Sequence, residues 1–527
     1  MFPAQANLRT FLAKVTGSDK LVGTLTDAEE GEWNRRANEQ TDWWTWFTGE
    51  ALRVEDMSIQ AKNGLRPRKY PLAINPPAIA GRMHSYALVG QAQDSSGPIV
   101  RTVFEQRRKE TDTTAIEEAE EALLDAKYEN DERGQFIDTA IMTQFLGGFF
   151  MKIGYDPTDP INRPSGIRTE YYDPREVTVR FRGKDYYNLE EAWIRRRISQ
   201  EEAALYGIRV PTDFCTYEEY WNKKWYYIRI ENDLAKDALG DDINRPNPFG
   251  FVPFVYAPHE RVNGFWGLPI HKDVVDQVYE LNAREADIGD AIHDSVNDVV
   301  WVRNTKTDPK VQVISTPTGR LLVLNMGRAI SAQDPMPEIG RLPSHSLPQS
   351  ASDFTARMLE YTRTSMQTPD VTYGKDQGSQ RSGETLHARM WPTTAHVMDE
   401  RIWLGTAICK RDEMILRIMA TKGLHGINQK HLGYRKHTVW APMLPPDRAQ
   451  IVQEVVARKQ QGAISDELMV EKFGDAPDMK RELELIQEME QAEIDMQTQQ
   501  KQMEMDSQMA MMKAKAASEP KASSNAK

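Results

Sequence analysis

The sequence predicts an α+β fold, and three observations predict it. Long stretches carry apolar residues at helical spacing, above all residues 268–300 and the run that ends near Lys422. Between residues 148 and 260 the pattern changes to short β-rich runs split by turn clusters. Hydrophobic residues make up 40% and charged residues 27% of the 527, the balance of a chain that can bury a sizeable core.

The elements follow in order. Residues 1–25 read as loosely ordered. A helix is expected to start near Asp27, an N-cap with acids behind it. It leads into Trp33, Trp43, Trp44, Trp46 and Phe47, which read as core packing ahead of a base-stacking surface. Pro67, Pro71, Pro76 and Pro77 forbid a continuous helix before about Ala78. Helices are expected near 112–128 and 130–147, and strands at 191–198, 224–231 and 251–257. The run Ser199 to Glu202 forms a capping box for a short helix. After the helix at 268–300 come two strand candidates, Val299–Val302 and Leu321–Leu324. A helix from about Ala351 to Met366 is opened by the box-like Ser350–Asp353. A polar, glycine-bearing loop at 369–383 precedes a long helix kinked at Pro392. Residues 445–480 hold two helices around the turn Gln461–Ala463, and Met479 to Met512 is one helix rich in Glu, Gln and Met. The low-complexity tail, 513–527, reads as disordered.

Charge and composition narrow the function classes. The net charge is -12 and the pI near 5.5, so most of the surface cannot grip phosphates. DNA, if it is handled, must meet a confined basic patch or pass without sticking. The two cysteines, Cys215 and Cys409, argue against a disulfide framework and fit a reducing compartment. No run of about 18 apolar residues predicts a membrane span, and Met1 to Lys14 lacks the apolar core of a signal peptide. There is no P-loop, no H-E-x-x-H, no G-x-S-x-G elbow and no dinucleotide fingerprint. His425, His431 and His437 share a polar turn that reads as a surface loop. No enzyme activity, cofactor or metal site is expected.

The helix at 268–300 is two-faced. Val274, Val278, Leu281, Ile288 and Ile292 recur on one face. Asp273, Asp276, Glu280, Asp287, Asp290 and Asp294 cluster away from it as a column of carboxylates. Three readings stay open: a solvated surface, a channel wall that repels phosphates, or pairing with a neighbouring subunit's Arg357 or Arg363. The loop 369–383 is the opposite case, with Lys375 and Arg381 among Gly374, Gly378 and Gly383. It is either a plain surface loop or a ring of flexible cations suited to transient phosphate contact. Leu485, Met489, Ala492, Met496 and Met503 form an a/d-like stripe, either packed on its own subunit or part of a helical barrel.

Laid in order, these segments resemble the portal family of tailed bacteriophages over most of residues 40–490. The likeness is carried by the aromatic cluster with Gly49, by Arg66-Pro67 and Asn75, by the helix–glycine–strand run 139–156, and by residues 251–292 with Leu281-Asn282. Arg381–Leu386 and Gly462–Gly474 add to it, and the N-terminal part looks like that of short-tailed phages. The resemblance implies a portal fold: a mixed α/β wing over 1–267, a first stem helix at 268–299, a β-containing clip at 300–345 and a second stem helix at 346–368. It also implies a tunnel loop at 369–383 (Gly374, Lys375, Gly378, Arg381), a wing helix and return at 384–440, and a helical crown or barrel at 441–512. Its implied partners are copies of itself in a dodecameric ring, the terminase large subunit (the packaging ATPase), major capsid and scaffolding proteins, tail adaptors, and double-stranded DNA in transit. Its implied place is the unique capsid vertex, after assembly in the host cytoplasm. The alternative is a Mg²⁺-dependent phage nuclease built on the clustered carboxylates.

Overall fold

The computed structural model describes residues 24–52, 73–90, 99–105, 113–374, 388–443, 448–465, 469 and 479–518, except 159, 232, 238, 263, 297–298, 305–310, 317–318, 326–337 and 342–347. The chain divides into two compact units, Met1–Gln91 with Pro98–Met443 and Ala92–Gly97 with Leu444–Lys527.

The first unit mixes helices with four sheets, as an α+β chain should. It opens with α1 (Asp27–Thr48), α2 (Pro76–Val89), β1 (Val100–Phe104), α3 (Thr113–Glu129) and α4 (Glu132–Leu146). The strand-rich middle follows: β2 (Gly148–Tyr155), β3 (Ile167–Tyr172), β4 (Val177–Arg182), β5 (Asp185–Ser199), the short α5 (Gln200–Leu205), β6 (Phe214–Asn222), β7 (Trp225–Ile230), β8 (Asp233–Leu234), β9 (Asn244–Pro246) and β10 (Phe254–Pro258). Strands β4 to β8 form an antiparallel meander with β9 paired to β7, and β10–β2–β3 form a second sheet. Then α6 (Val275–Val296) and α7 (Gln349–Ser365) bracket a four-stranded sheet of order β12–β13–β11–β14, made of β11 (Val299–Asn304), β12 (Val311–Thr316), β13 (Gly319–Asn325) and β14 (Glu338–Arg341). The unit closes with α8 (Trp391–Lys422) and β15 (Lys436–Trp440), the latter pairing with β1. The second unit carries α9 (Arg448–Gln460) and α10 (Met479–Ser518).

Helix boundaries differ from the sequence reading for local reasons. The N-cap of α1 is Thr26, whose hydroxyl accepts from the Glu29 amide while Glu29 reaches back; Asp27 is already helical. Helix α2 starts at Pro76, where Asn75 caps the Ala78 amide and proline fits the first turn. Ser199 caps Glu202, but the Glu202 carboxylate pairs with Arg196 instead of closing a box. Helix α7 has Pro348 as its N-cap and no side-chain cap, so Ser350–Asp353 is not a capping box. Pro392 lies in the first turn of α8, where its missing amide has no partner to lose, and so it does not kink the helix. Helix α6 starts at Val275, not near 268. Residues ahead of it make tight turns, Lys272 donating to the Pro269 carbonyl and Val274 to that of His271.

The core is gathered on α8, whose Val397, Leu404, Ile408, Ile415 and Met419 pack against α3, α4, β1 and β2. One charge network is buried beside it, and a second, partly buried, lies on the opposite face of β2. Arg411 pairs with Glu132 at 2.7 Å and Asp412 at 2.8 Å, and Lys127 lies 3.5 Å from Asp412. Lys152 pairs with Glu219 at 2.7 Å and Glu170 at 3.3 Å. Truncating one partner would strand the others without water.

The two segments 139–156 and 251–292 meet at a backbone crossing. Helix α4 ends on Gly147 in the left-handed region, φ 77°. A Cβ on Gly147 would sit 2.3 Å from the Gly267 carbonyl oxygen, and one on Gly267 would sit 2.1 Å from that of Gly147. The His259 amide at 3.0 Å and the Tyr256 hydroxyl at 3.0 Å both donate to the Gly147 carbonyl. Gly267→Ala should therefore destabilise the protein by about 1–3 kcal/mol or more in urea unfolding. Gly154→Ala, whose nearest new contact is at 3.9 Å, should stay within about 0.5 kcal/mol. Equal midpoints for the two variants would contradict this account of the crossing.

Candidate functional site

Helices α6 and α7 run antiparallel. At one end Val274 and Val278 cluster with Met366, Trp46, Leu52 and Ala80; at the other Ile288 and Ala291 share a groove with Pro348, Ala351 and Phe354. The base is further tied by Asn282. Its Nδ2 donates to the Ile74 carbonyl at 2.9 Å and its Oδ1 accepts from the Ile74 amide at 2.7 Å. Trp46, buried as the aromatic cluster predicts, stacks on His271 and meets Tyr279 edge-on.

Of the carboxylates predicted to form one column, Asp273 falls in the turn ahead of α6 and not on the helix, because the helix starts only at Val275. Asp273, Asp276 and Asp287 are exposed, Glu280 is half-exposed, and Asp290 is partly buried with Oδ1 out of water. The side chain of Asp294 lies outside the described residues. Arg284 stands within the column and pairs with Glu280 at 2.7 Å and Asp287 at 3.4 Å. These i,i+4 and i,i+3 pairs soften the negative face, and each is worth only a few tenths of a kcal/mol. The packed face fades along the helix: Val274, Val278 and Leu281 are buried, whereas Ile292 is 51% exposed. On α7, Arg363 is engaged within the chain, 3.0 Å from Asp370 and 4.2 Å over the Tyr373 ring.

Of the four candidate loop residues, Gly374, Lys375, Gly378 and Arg381, only Gly374 lies among the described residues. It ends a 3₁₀ turn, Asp370–Tyr373, with φ 71°, a conformation that favours glycine. Lys375, Gly378 and Arg381 lie outside the described residues.

A buried polar knot underlies the helix pair, and the sequence reading missed it. His396 and Glu400 are four apart on α8, His259 ends the stretch after β10, and His84 comes from α2. The His84 Nε2 donates to the Met366 carbonyl at 3.1 Å, and Thr393 donates to the Gln367 carbonyl at 2.6 Å. The His259 Nδ1 donates to the Leu268 carbonyl at 2.8 Å, and its Nε2 lies 3.3 Å from the His396 Nε2. Gln144 donates to both Glu400 oxygens, at 2.8 and 2.9 Å. Burial, with help from neighbouring imidazoles, pushes His84 and His259 down to about 3. Burial pushes Glu400 up to about 8. His396–Glu400 spacing on one helix face was the only available signal; the partner His259 is 137 residues away. By contrast, His431 is committed to Glu118 at 2.8 Å and to Asn428, which leaves the polar turn of His425 and His437 without a shared centre.

The sequence profile of the family described as phage portal protein, SPP1 Gp6-like, matches residues 199–496, more than half of the chain. The chain belongs to the phage portal protein family. No curated protein sequence matches it.

As a portal, it is a structural protein of the phage head, placed at the capsid vertex as a head–tail connector with a role in DNA packaging. The family is a structural one, and it implies an oligomeric ring. No helix of the described residues is long and apolar enough to cross a membrane.

His271 gives the portal base a pH dependence. It is buried between Trp46 and Phe145, neither ring nitrogen meets a partner among the described residues, and burial pushes it down to about 4. A depressed histidine contributes stability that is present above its unfolded value, about 6.5, and lost as pH falls through its folded one. Wild type should thus lose on the order of 3 kcal/mol through this group between pH 6.5 and 4. His271→Phe should make that slope shallower in urea melts at pH 7 and 4.5, leaving the part that His84 and His259 carry. An unchanged slope would show that His271 does not carry it.

Proposed function

We propose that the chain closes into a twelve-membered ring whose central channel passes double-stranded DNA during packaging and ejection. The observation that carries this reading is the α6–α7 pair: two antiparallel helices, packed at one end, bracketing a separate small sheet and presenting Asp276 and Glu280 outward, with Asp273 exposed in the turn just ahead of α6. A negative wall repels phosphates and lets a duplex slide, which suits a chain of net charge -12. Within this reading α6 and α7 are the stem and residues 300–345 are the clip. The clip docks the terminase large subunit during packaging and tail adaptors afterwards. Residues 1–267 and 384–440 are the wing, which contacts capsid and scaffolding proteins, and residues 441–512 are the crown. The division of the chain after Met443 supports that last boundary. Within this reading the stripe of Met489, Met496 and Met503 on α10 is the seam of a barrel of neighbouring helices. Rings assemble in the host cytoplasm before capsid closure. The α6 carboxylates are strung along a helix, and among the described residues they form no three-ligand group, which disfavours the nuclease alternative.

Charge reversal tests the channel. Rings of the double variant Asp273→Lys, Asp276→Lys should assemble normally, retain duplex DNA in a salt-sensitive way, and package more slowly. Lys375→Glu in the same packaging assay tests the tunnel loop and should alter packaged length or retention. Wild-type packaging by both variants would overturn the channel reading.

A further inference from the structure

The knot beneath the helix pair has the donor set of a metal centre. His259, His396 and Glu400 each offer one ligand atom, and these atoms lie within 4.8 Å of one another. Two imidazole nitrogens and one carboxylate are the ligands of tetrahedral zinc sites, at about 2.0–2.2 Å from the ion. Two nitrogens at that distance on a tetrahedral ion stand about 3.3 Å apart, which follows from the bond lengths. The His259 and His396 Nε2 atoms are 3.3 Å apart.

The tautomers and outer contacts agree. A carbonyl can only accept, so the His259 Nδ1 bonded to Leu268 carries the proton. In the neutral ring the Nε2 then holds a bare lone pair, aimed at His396. An Nδ1–H held by a backbone carbonyl is also the outer contact that orients metal-bound histidines. Glu400 is held in place by Gln144 through both oxygens, and no Lys or Arg pairs with it among the described residues. The His84 Nδ1 and the Gln144 Oε1 are buried acceptors without partners among the described residues. Their rings and amide border the same knot: His84 stacks edge-on to His396 at 5.0 Å, and Gln144 is bonded to Glu400. A water on the ion's fourth position would bring O–H donors to a place that has acceptors and lacks donors. His396 is only partly buried, unlike His259 and Glu400.

We propose that His259, His396 and Glu400 bind one zinc-class divalent cation, which clamps the chain after β10 to the start of α8 directly beneath the end of α7. Mixed nitrogen and oxygen ligation favours Zn²⁺ or Co²⁺ over Mg²⁺ or Ca²⁺, which take oxygen ligands. The role is structural, and the site stands whether or not the channel reading holds.

The test uses the full chain, stripped with EDTA, dialysed and titrated with Co²⁺, whose visible d–d bands report a low-symmetry site. Wild type should bind close to one Co²⁺ per chain, lose the bands to added Zn²⁺, and melt at a higher temperature with Zn²⁺ than without. His259→Gln and His396→Gln should each weaken binding by roughly 10- to 100-fold or more. His425→Gln, in the exposed turn, should bind as wild type does. Saturable bands from wild type need no variant to fold, so their absence would overturn the proposal alone. So would bands that persist in both His259→Gln and His396→Gln, or that vanish in His425→Gln only.

Discussion

How the α6–α7 pair is held at its base decides what the rest of the molecule can do. Asn282 is buried, and a buried amide must find partners or forfeit its hydration. It finds them on the backbone of Ile74, 208 residues earlier in the chain, and on the Val278 carbonyl of its own helix. Around it Trp46, Val274, Val278 and Met366 exclude water. Gly267 lies fifteen residues earlier in the chain than Asn282, and its crossing with Gly147 leaves no room for a side chain on either strand of backbone. The helix pair therefore leaves the core from a joint that is over-determined on several sides, while Ile292 and Phe354, away from that joint, are exposed.

Charge is distributed by the same logic. Beside α8, buried acids and bases are matched and hydrogen-bonded, as Arg411, Asp412, Lys127 and Glu132 are. Outside, along α6, carboxylates outnumber cations, and Arg284 is the cation set among them. Buried networks of this kind fix geometry more than they add stability. The surface excess is what a passing polyanion would meet. In the proposed channel, an acidic, weakly gripping wall is the simplest physical answer to the passage of DNA.

Much of the fold was legible in the sequence because periodicity survives without a tertiary context. The helices now seen at Thr113–Glu129 and Glu132–Leu146, and the strands around 191–198, 224–231 and 251–257, follow the predicted runs. Caps were less legible, since Thr26 and Asp27 are chemically interchangeable as N-caps and the structure chooses by one residue. Pro392 misled because a proline reads as a kink until one knows that the helix begins beside it. The acidic face of α6 was readable, yet its Arg284 pairing was not weighed, although the spacing to Glu280 is the standard four. The histidine knot was beyond reach: only His396 and Glu400 share a helical spacing, on α8, while His84 comes from α2 and His259 follows β10.

The central claim is that α6 lines the bore of a closed ring. A single-particle electron microscopy reconstruction of the purified full chain tests it directly. The expected result is a cyclic particle with an axial hole, with α6 nearest the axis and Asp276 and Glu280 facing it. A particle without an axial hole, or a ring in which α6 lies on the outer wall with those carboxylates turned to bulk solvent, would contradict it.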